Sequence, residues 1–480
     1  MAARSLGVLH SCVMKHLLLH SLAIGAALAF GSAQAQADAI EDIAEAELHR
    51  SGAPGMALAV VQDGRVVRVE AFGEANIEHG VRVHPDTLFK TGATGMPFTA
   101  ALIMLLVEDG RIALDRPLRE YLPGTPDKWA GVTIRHLLEN TSGLPATPNG
   151  DFLAEYTRQE MLAILAEQEI NFAPGTRYRF SYANYVVLGM VIEELTGEPW
   201  SEFARQRLFG PLGMATARGI DERAIIPNRA AGYEVRGGEL RNAEWISAAA
   251  NSTADGSLYL SALDFAAWGQ ALSRRSLLRD SSWDQMGRAI TIEGGAACAA
   301  VPGWFAEGAG RDAVRWQAGT WQGFQTYAYS YPQRDLSVFV LANGEAANAK
   351  DIARRVAAAV DPSLPVVAAR MVENAPSATT LRARKLVEDI EAGAARREDY
   401  ADFADLDFRE LTQMYGAMLA ALGPLQSFAL YEKREGCAET HYRYRTSHAE
   451  GLTEIRMGLG ADGKITSLEI VPIGDLAEPL

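Results

Sequence analysis

Apolar residues along this chain follow two spacings, and the spacing switches several times. From Pro54 the runs are short and strand-like. Met56-Ala57-Leu58-Ala59-Val60-Val61, a turn at Asp63-Gly64, and Val66 to Phe72 predict a β-hairpin. After Pro97 the pattern predicts a helix. Proline suits a first helical turn, where its missing N–H has no intrahelical acceptor to lose. Phe98 to Val107 is apolar on nearly every side, so this helix should be buried rather than amphipathic. Glu108 and Asp109 reach water, and Gly110 supplies a left-handed stop. Residues 150–230 read as helices and loops, with helices from Tyr185 to Leu195 stopping at Gly197 and from Phe203 to Phe209 stopping at Gly210. Asp255-Gly256-Ser257-Leu258-Tyr259 leads into a helix with Asp264 near its start. Strands return at Arg315–Gln317, Phe324–Tyr331 and Leu336–Leu341, and a helix over Ala346–Val360 closes a first unit.

A proline-containing, irregular stretch over 363–378 predicts a linker. A second unit follows over 379–480. Its helices are expected over Leu381–Ala395 and Phe408–Leu422. Its strands are expected over Phe428–Lys433, Thr440–Arg445, Leu452–Leu459 and Ile465–Ile470, with Asp462-Gly463 as a hairpin turn. The expectation is an α/β (α+β) chain: a first domain over 38–362 and a small C-terminal α+β module. Tyr442-Arg443-Tyr444-Arg445 is read as a solvated strand face rather than a binding surface.

Composition changes this picture in two places. The 480 residues carry a net charge of −15 without long acidic runs, which argues against nucleic acid and anionic membranes as partners. Lys15 and His16 precede an apolar run from Leu17 to Phe30. Small residues follow through Ala33-Gln34-Ala35 and Ala35-Gln36-Ala37, so residues 1–37 read as a secretory signal peptide with Met14 as an alternative start. The run is too short for a strong anchor, and no later stretch approaches a membrane span. A periplasmic or secreted protein is expected. Cys12 leaves with the leader, and Cys298 and Cys437 remain in different units. That compartment permits a disulfide; two separate buried thiols are the expectation.

The segment Phe89-Lys90-Thr91-Gly92-Ala93-Thr94-Gly95-Met96-Pro97-Phe98-Thr99-Ala100 resembles the active-site helix of the serine β-lactamase and penicillin-binding-protein family, especially its class C and esterase-like branch. Phe72-Gly73, Asp86-Thr87-Leu88-Phe89, Thr141-Ser142-Gly143-Leu144-Pro145 and Pro211-Leu212-Gly213-Met214 extend the resemblance over about residues 40 to 362. It implies an antiparallel sheet flanked by helices with a helical lobe. The C-terminal module would then be similar to the cystatin-like or nuclear-transport-factor-like modules of many relatives.

The family opens this helix with Ser-x-x-Lys, in which the serine attacks a carbonyl and the lysine one turn later takes its proton. Here the serine falls on Ala93 and the lysine on Met96. The second motif, Tyr-x-Asn, falls on Phe180-Ser181-Tyr182 by spacing from Pro174-Gly175 and Leu188-Gly189. A two-residue slip would instead restore Tyr182 and Asn184, with Asn184 among the expected ligand-binding residues. The third motif, a cation and a hydroxyl before glycine, falls on Gln317-Ala318-Gly319. Asn140 stands where relatives carry a mostly structural histidine.

The resemblance places the oxyanion hole on the amides of Ala93 and Thr320, which side-chain changes do not delete, and Gly319 keeps room for a ligand beside the backbone. Thr94, Thr91, Ser181 and Thr320 are the hydroxyls near the expected cleft, and Lys90 has the wrong helical phase for Thr94. No histidine stands between His136 and His441, which excludes a Ser-His-Asp triad within that span, and His136 reads as a core or cap residue. No metal cluster, cofactor motif or phosphate-cradling loop is evident. Two readings follow. One is a catalytically inactive homologue that binds a small-molecule or peptide ligand, or a partner, through the old cleft. The other is a working hydrolase of esters, amides or β-lactams that uses displaced groups such as Thr94 and Tyr182.

Overall fold

A computed structural model describes residues 39–148, 151–236, 238–308, 310–364, 377–401, 408–437, 439–460 and 462–473. The expected leader over 1–37 and most of the expected linker over 363–378 lie outside these residues. The first helix, α1, covers 39–51. The predicted hairpin forms as β1 (Gly55–Gln62) and β2 (Arg65–Asn76). The buried helix forms as α2 (Met96–Glu108), followed by α3 (Tyr182–Thr196) and α4 (Ala262–Arg274). Then come β3 (Trp304–Glu307), β4 (Val314–Trp321), β5 (Phe324–Tyr331), β6 (Leu336–Ala342) and α5 (Ala349–Val360).

The main sheet is antiparallel throughout. Edge to edge its strands are Val81–Arg82, β2, β1, β6, β5, β4, β3 and Ala300–Val301. Successive side chains on a strand point to opposite faces, and here both faces are covered. Met56, Leu58 and Val60 enter one core with Ile40 and Ile43 of α1 and Ile352 and Val356 of α5. Ala57, Ala59 and Val61 enter the other, with α2 and with Phe265 and Trp268 of α4. That is why β1 reads as an unbroken apolar run: neither set of positions meets water.

The helix α2 is buried from Met96 to Leu106, and Phe98 packs 4.7 Å from Trp268 and 5.9 Å from Phe209 between ring centroids. Gly110 closes it in the left-handed region. One predicted stop and one predicted start move. The second helix of the 150–230 region is a short α-helix, Trp200–Ala204, continued by a π-helical turn over Arg205–Phe209, and the left-handed terminator is Gly213 rather than Gly210. The helix α3 starts three residues before the predicted Tyr185, because Ser181 accepts a hydrogen bond from the Asn184 amide as its N-cap.

Residues beyond 377 build their own core. α6 (Ala378–Glu391) and α7 (Phe408–Leu422) pack on a four-stranded antiparallel meander of β7 (Leu425–Glu435), β8 (Glu439–His448), β9 (Leu452–Gly460) and β10 (Ile465–Ile473). Tyr442 and Tyr444 face the helices. The solvated face expected at Arg443 is half-buried instead. Arg443 pairs with Glu432 and Glu454 at 2.8 Å each and lies in electrostatic range of Lys350 of α5. The expectation of separate thiols is overturned as well. Cys298 and Cys437 form a disulfide with Cα atoms 4.5 Å apart. Their separation of 139 residues carried no pairing signal; the pair forms because the β7–β8 turn meets the loop before β3.

Candidate functional site

Three backbone segments converge on one cavity. A short pairing of Phe89–Lys90 with Tyr259–Leu260 brings the chain after Lys90 against the chain before Leu258. The turn Gly92–Gly95 then opens α2. Contact here is closer than side chains allow: a Cβ on Gly256 would lie 1.9 Å from the Gly92 carbonyl oxygen. A Cβ on Gly319 would lie 1.9 Å from the Thr91 carbonyl oxygen. The room that Gly319 leaves is therefore filled by the turn before α2, not kept for a ligand as expected.

The cavity encloses about 210 Å³ and is bounded by Ala93 and Gly92 of the turn, Tyr182 of α3, Asp255 and Ser257, and Thr320 of β4. The β4–β5 connection has positive φ at both Gln322 and Gly323, as a two-residue type I′ turn requires. Such a turn closes on a hydrogen-bonded pair, Trp321–Phe324, so the next pair, Thr320–Gln325, is not hydrogen-bonded. The Thr320 amide thus points away from β5, toward the Gly92 turn.

The structure brings the first and third motif positions together. Met96 is fully buried. The Gln317 amide nitrogen lies 3.7 Å from the Met96 sulfur and donates to the Gly303 carbonyl at 3.0 Å, while its oxygen accepts from the Ala318 amide at 3.1 Å. Neither Met96 nor Gln317 borders the cavity. Ala93 does, next to Thr320.

The second motif splits between its two registers. Phe180 does not border the cavity; it stacks on Phe305 with centroids 5.2 Å apart. Tyr182 does border it, as the slipped register expects. Its partner in that register, Asn184, is fully used elsewhere. The Asn184 amide nitrogen donates to Asn140 Oδ1 at 2.8 Å, and its oxygen accepts from Ser142 Oγ at 2.5 Å. The cause is helical phase: residues two apart on α3 cannot face the same way. A role for Asn184 in ligand binding is replaced by a structural one. Asn140, left-handed at φ 55°, also accepts from the Ser181 amide. Asn184→Ala should therefore destabilise the protein by about 1–3 kcal/mol, the cost of stranding buried polar partners. Urea unfolding at unchanged stability would contradict this.

The candidate substitute hydroxyls are mostly committed. Thr94 is buried and donates to the Thr91 carbonyl at 2.8 Å; Ser181 donates to Pro145 at 2.5 Å, and Thr91 to Gly256 at 2.7 Å. Lys90 is buried between Glu222 and Gln322, and burial holds its ammonium below the ordinary lysine range. His136 caps its helix, with Nδ1 accepting from the Thr133 amide.

Sequence reasoning missed Asp255, Ser257 and the aromatic wall. Asp255 accepts from Thr253 Oγ1 at 2.6 Å, and burial pushes its carboxyl up to about 6. Burial first, and then the Asp255 charge, raise the Tyr182 phenol. Phe152, Tyr156 and Trp321 complete the wall, with the Trp321 indole N–H held by Asn251 at 2.7 Å. Gly256, flanked by two polar residues just before a strand, was the one available signal.

A sheet backed by helices on both faces, with the opening of a buried helix set against an edge-region strand, defines the class. The chain belongs to the Beta-lactamase family, whose match covers residues 40–361. It is 28% identical over 239 residues to "Putative penicillin-binding protein PbpX" of Bacillus subtilis (strain 168), covering 50% of this chain and 60% of that protein. It is 33% identical over 181 residues to "Penicillin-binding protein 4" of Amycolatopsis lactamdurans, covering 36% and 46%. The chain thus spans about half of the length of these relatives. Among solved structures, it is similar to the octameric penicillin-binding protein homologue from Pyrococcus abyssi. The TM-score is 0.60 at 20% identity, covering 91% of this chain and 96% of that one. A D-stereospecific amidohydrolase from Streptomyces sp. matches with a TM-score of 0.57 at 22% identity, covering 67% and 97%. At these identities the structural likeness establishes the fold alone. Among the described residues, no helix is long and apolar enough to cross a membrane.

Proposed function

We propose that this chain is an exported, covalently inert member of its family that binds a small ligand in the Ala93 cavity. The observation that carries the reading is the pair at the opening of α2: alanine at the cavity wall and a fully buried methionine one turn on, packed on Gln317. No lysine, arginine or histidine is among the described residues lining the cavity, so its hydroxyls have no amine or imidazole base beside them, and the Asp255 carboxylate is engaged by Thr253. Losing one member of such a catalytic unit costs several orders of magnitude in rate, and losing further members adds little. The amides of Ala93 and Thr320 remain as donors for a ligand oxygen. Export rests on the leader over 1–37. Residues 38–362 and 379–480 are taken as the two units.

One observation favours the second reading, an active hydrolase: Tyr182 lies at the cavity wall. Its raised phenol is protonated at neutral pH and is a poor nucleophile there. Hydrolysis of a chromogenic cephalosporin and of p-nitrophenyl acetate separates the two. The proposal expects rates equal to those of the Tyr182→Phe variant. Turnover well above background that Tyr182→Phe removes would replace it with the second reading.

A further inference from the structure

The polarity of the cavity is the reverse of what the third motif of the family implies. There, relatives place a cation; here Gln317 is turned into the core and the described lining contains no cationic side chain. What the lining does contain is two carboxylates, Asp151 and Asp255, and four aromatic rings, Phe152, Tyr156, Tyr182 and Trp321. Carboxylate and aromatic faces together are the surroundings that desolvated ammonium groups favour, because ring quadrupoles attract cations without demanding hydrogen bonds. We propose that the ligand of this cavity is a small organic monocation, an ammonium group on an apolar or aromatic body, with Asp255 as its counter-charge.

This deepens the binding reading given above and rests on it. Three features point to Asp255 rather than Asp151 as the partner. Asp255 is half-buried and held by the Thr253 hydroxyl at 2.6 Å, whereas Asp151 is exposed to water. Tyr182 of α3 borders the same cavity, and the Asp255 charge adds to burial in raising its phenol. The segment that carries it is locked by the contact of Gly256 with the Gly92 carbonyl. A carboxylate in partly apolar surroundings gains more from an incoming cation than one in water does, since the Coulomb term is less screened. The apolar body of the ligand would lie against Phe152 and Trp321, whose rings meet edge to face at 5.9 Å.

The titratable groups that share the cavity with Asp255 are Tyr182 from α3, Asp151 and Tyr156. Binding of a cation requires the ionised carboxylate, whose proton comes on as pH falls through about 6. The ammonium itself keeps its charge far above that range. Affinity for a cation should therefore be full near pH 7.5 and decline below pH 6, whereas affinity for a neutral analogue should not follow this course.

The test uses three probes of nearly one shape: phenethylammonium, 2-phenylethanol and 3-phenylpropanoate. Their dissociation constants for the intact protein are measured by isothermal titration calorimetry at pH 7.5 and pH 5. The expected result is that phenethylammonium binds at least about tenfold tighter than 2-phenylethanol at pH 7.5, with the anion weakest. This preference should shrink several-fold at pH 5, and Asp255→Asn should erase the difference between amine and alcohol. If that variant does not fold, the pH comparison on the unaltered protein decides alone. Binding of the alcohol or the anion as tight as that of the amine would overturn the cation assignment and leave the ligand-binding reading standing. No binding of any probe would count against both, and an acyl or phosphonyl adduct in a separate labelling experiment would remove the binding reading itself.

Discussion

Met96→Lys is expected to lower the stability of the protein by about 3 kcal/mol near pH 7, the scale of an ammonium buried without a full set of partners. The position is fully enclosed. The nearest acceptors are already taken: Gln317 Oε1 receives the Ala318 amide, and the Gly303 carbonyl receives Gln317 Nε2. In the family pattern a lysine here meets a serine hydroxyl and a tyrosine hydroxyl. In this chain Ala93 has no hydroxyl, and of the two candidates for the tyrosine Phe180 stacks on Phe305 while Tyr182 lies at the wall of a cavity that Met96 does not border. The pH dependence has a definite sign. Burial depresses the folded-state pKa of such a lysine below its unfolded value of about 10.4. The unfolded chain then binds more protons, so the cost is complete below the depressed value and fades as pH rises toward about 10.4. Adding Ala93→Ser returns one oxygen a turn away and should recover part of the loss. Urea unfolding of the variant, the double variant and the unaltered protein, near pH 7 and pH 9.5, checks all three statements. Equal stability of Met96→Lys and the unaltered protein near pH 7 would show that the scaffold still solvates a lysine there.

Loss of the disulfide should have an effect of similar size, felt between the two units rather than within either. Cys298 and Cys437 join a loop of the first unit to the β7–β8 turn of the second. Around the bond, Ile290 and Ala300 pack with Tyr178 and Ile292, and the Glu293 amide donates to the Gly175 carbonyl at 2.9 Å. The bond therefore packs beside Tyr178, on the segment that leads through Ser181 into α3 and Tyr182. Removing a native disulfide typically costs about 2–5 kcal/mol. Cys298→Ser should split one thermal transition into two, with the second unit melting first, and should speed proteolysis after residue 360. A single transition at the unaltered temperature would mean that the interface holds without the bond.

The contrast between these two sites shows what a sequence makes legible. The hairpin of β1 and β2 and the helix α2 could be read directly, because burial on both faces or all round leaves an unbroken apolar run. Ala93 and Met96 are expected at the serine and lysine positions because Phe89 and Pro97 set the register on either side. Counting from Pro174-Gly175 placed Phe180 in the cleft, yet the N-cap at Ser181 sets the phase of α3 so that Tyr182 reaches the cavity and Asn184 points inward. Helical phase at the first turn depends on the cap, which spacing alone did not resolve. Asp255 and the pairing of Cys298 with Cys437 were illegible for a different reason. Each depends on segments far apart in sequence, and neither carries a local pattern.

The central claim is that no nucleophile faces this cavity with a lysine or histidine base beside it, and that the Thr253–Asp255 hydrogen bond is structural. Intact-mass spectrometry of the purified protein tests it most directly, after incubation with a reactive β-lactam and separately with a fluorophosphonate. The mass is expected to stay unchanged with both reagents at concentrations that fully label an active relative. A stoichiometric increase, mapped by peptide sequencing to Tyr182, Ser257 or any other residue lining the cavity, would contradict the claim and show a reactive nucleophile there.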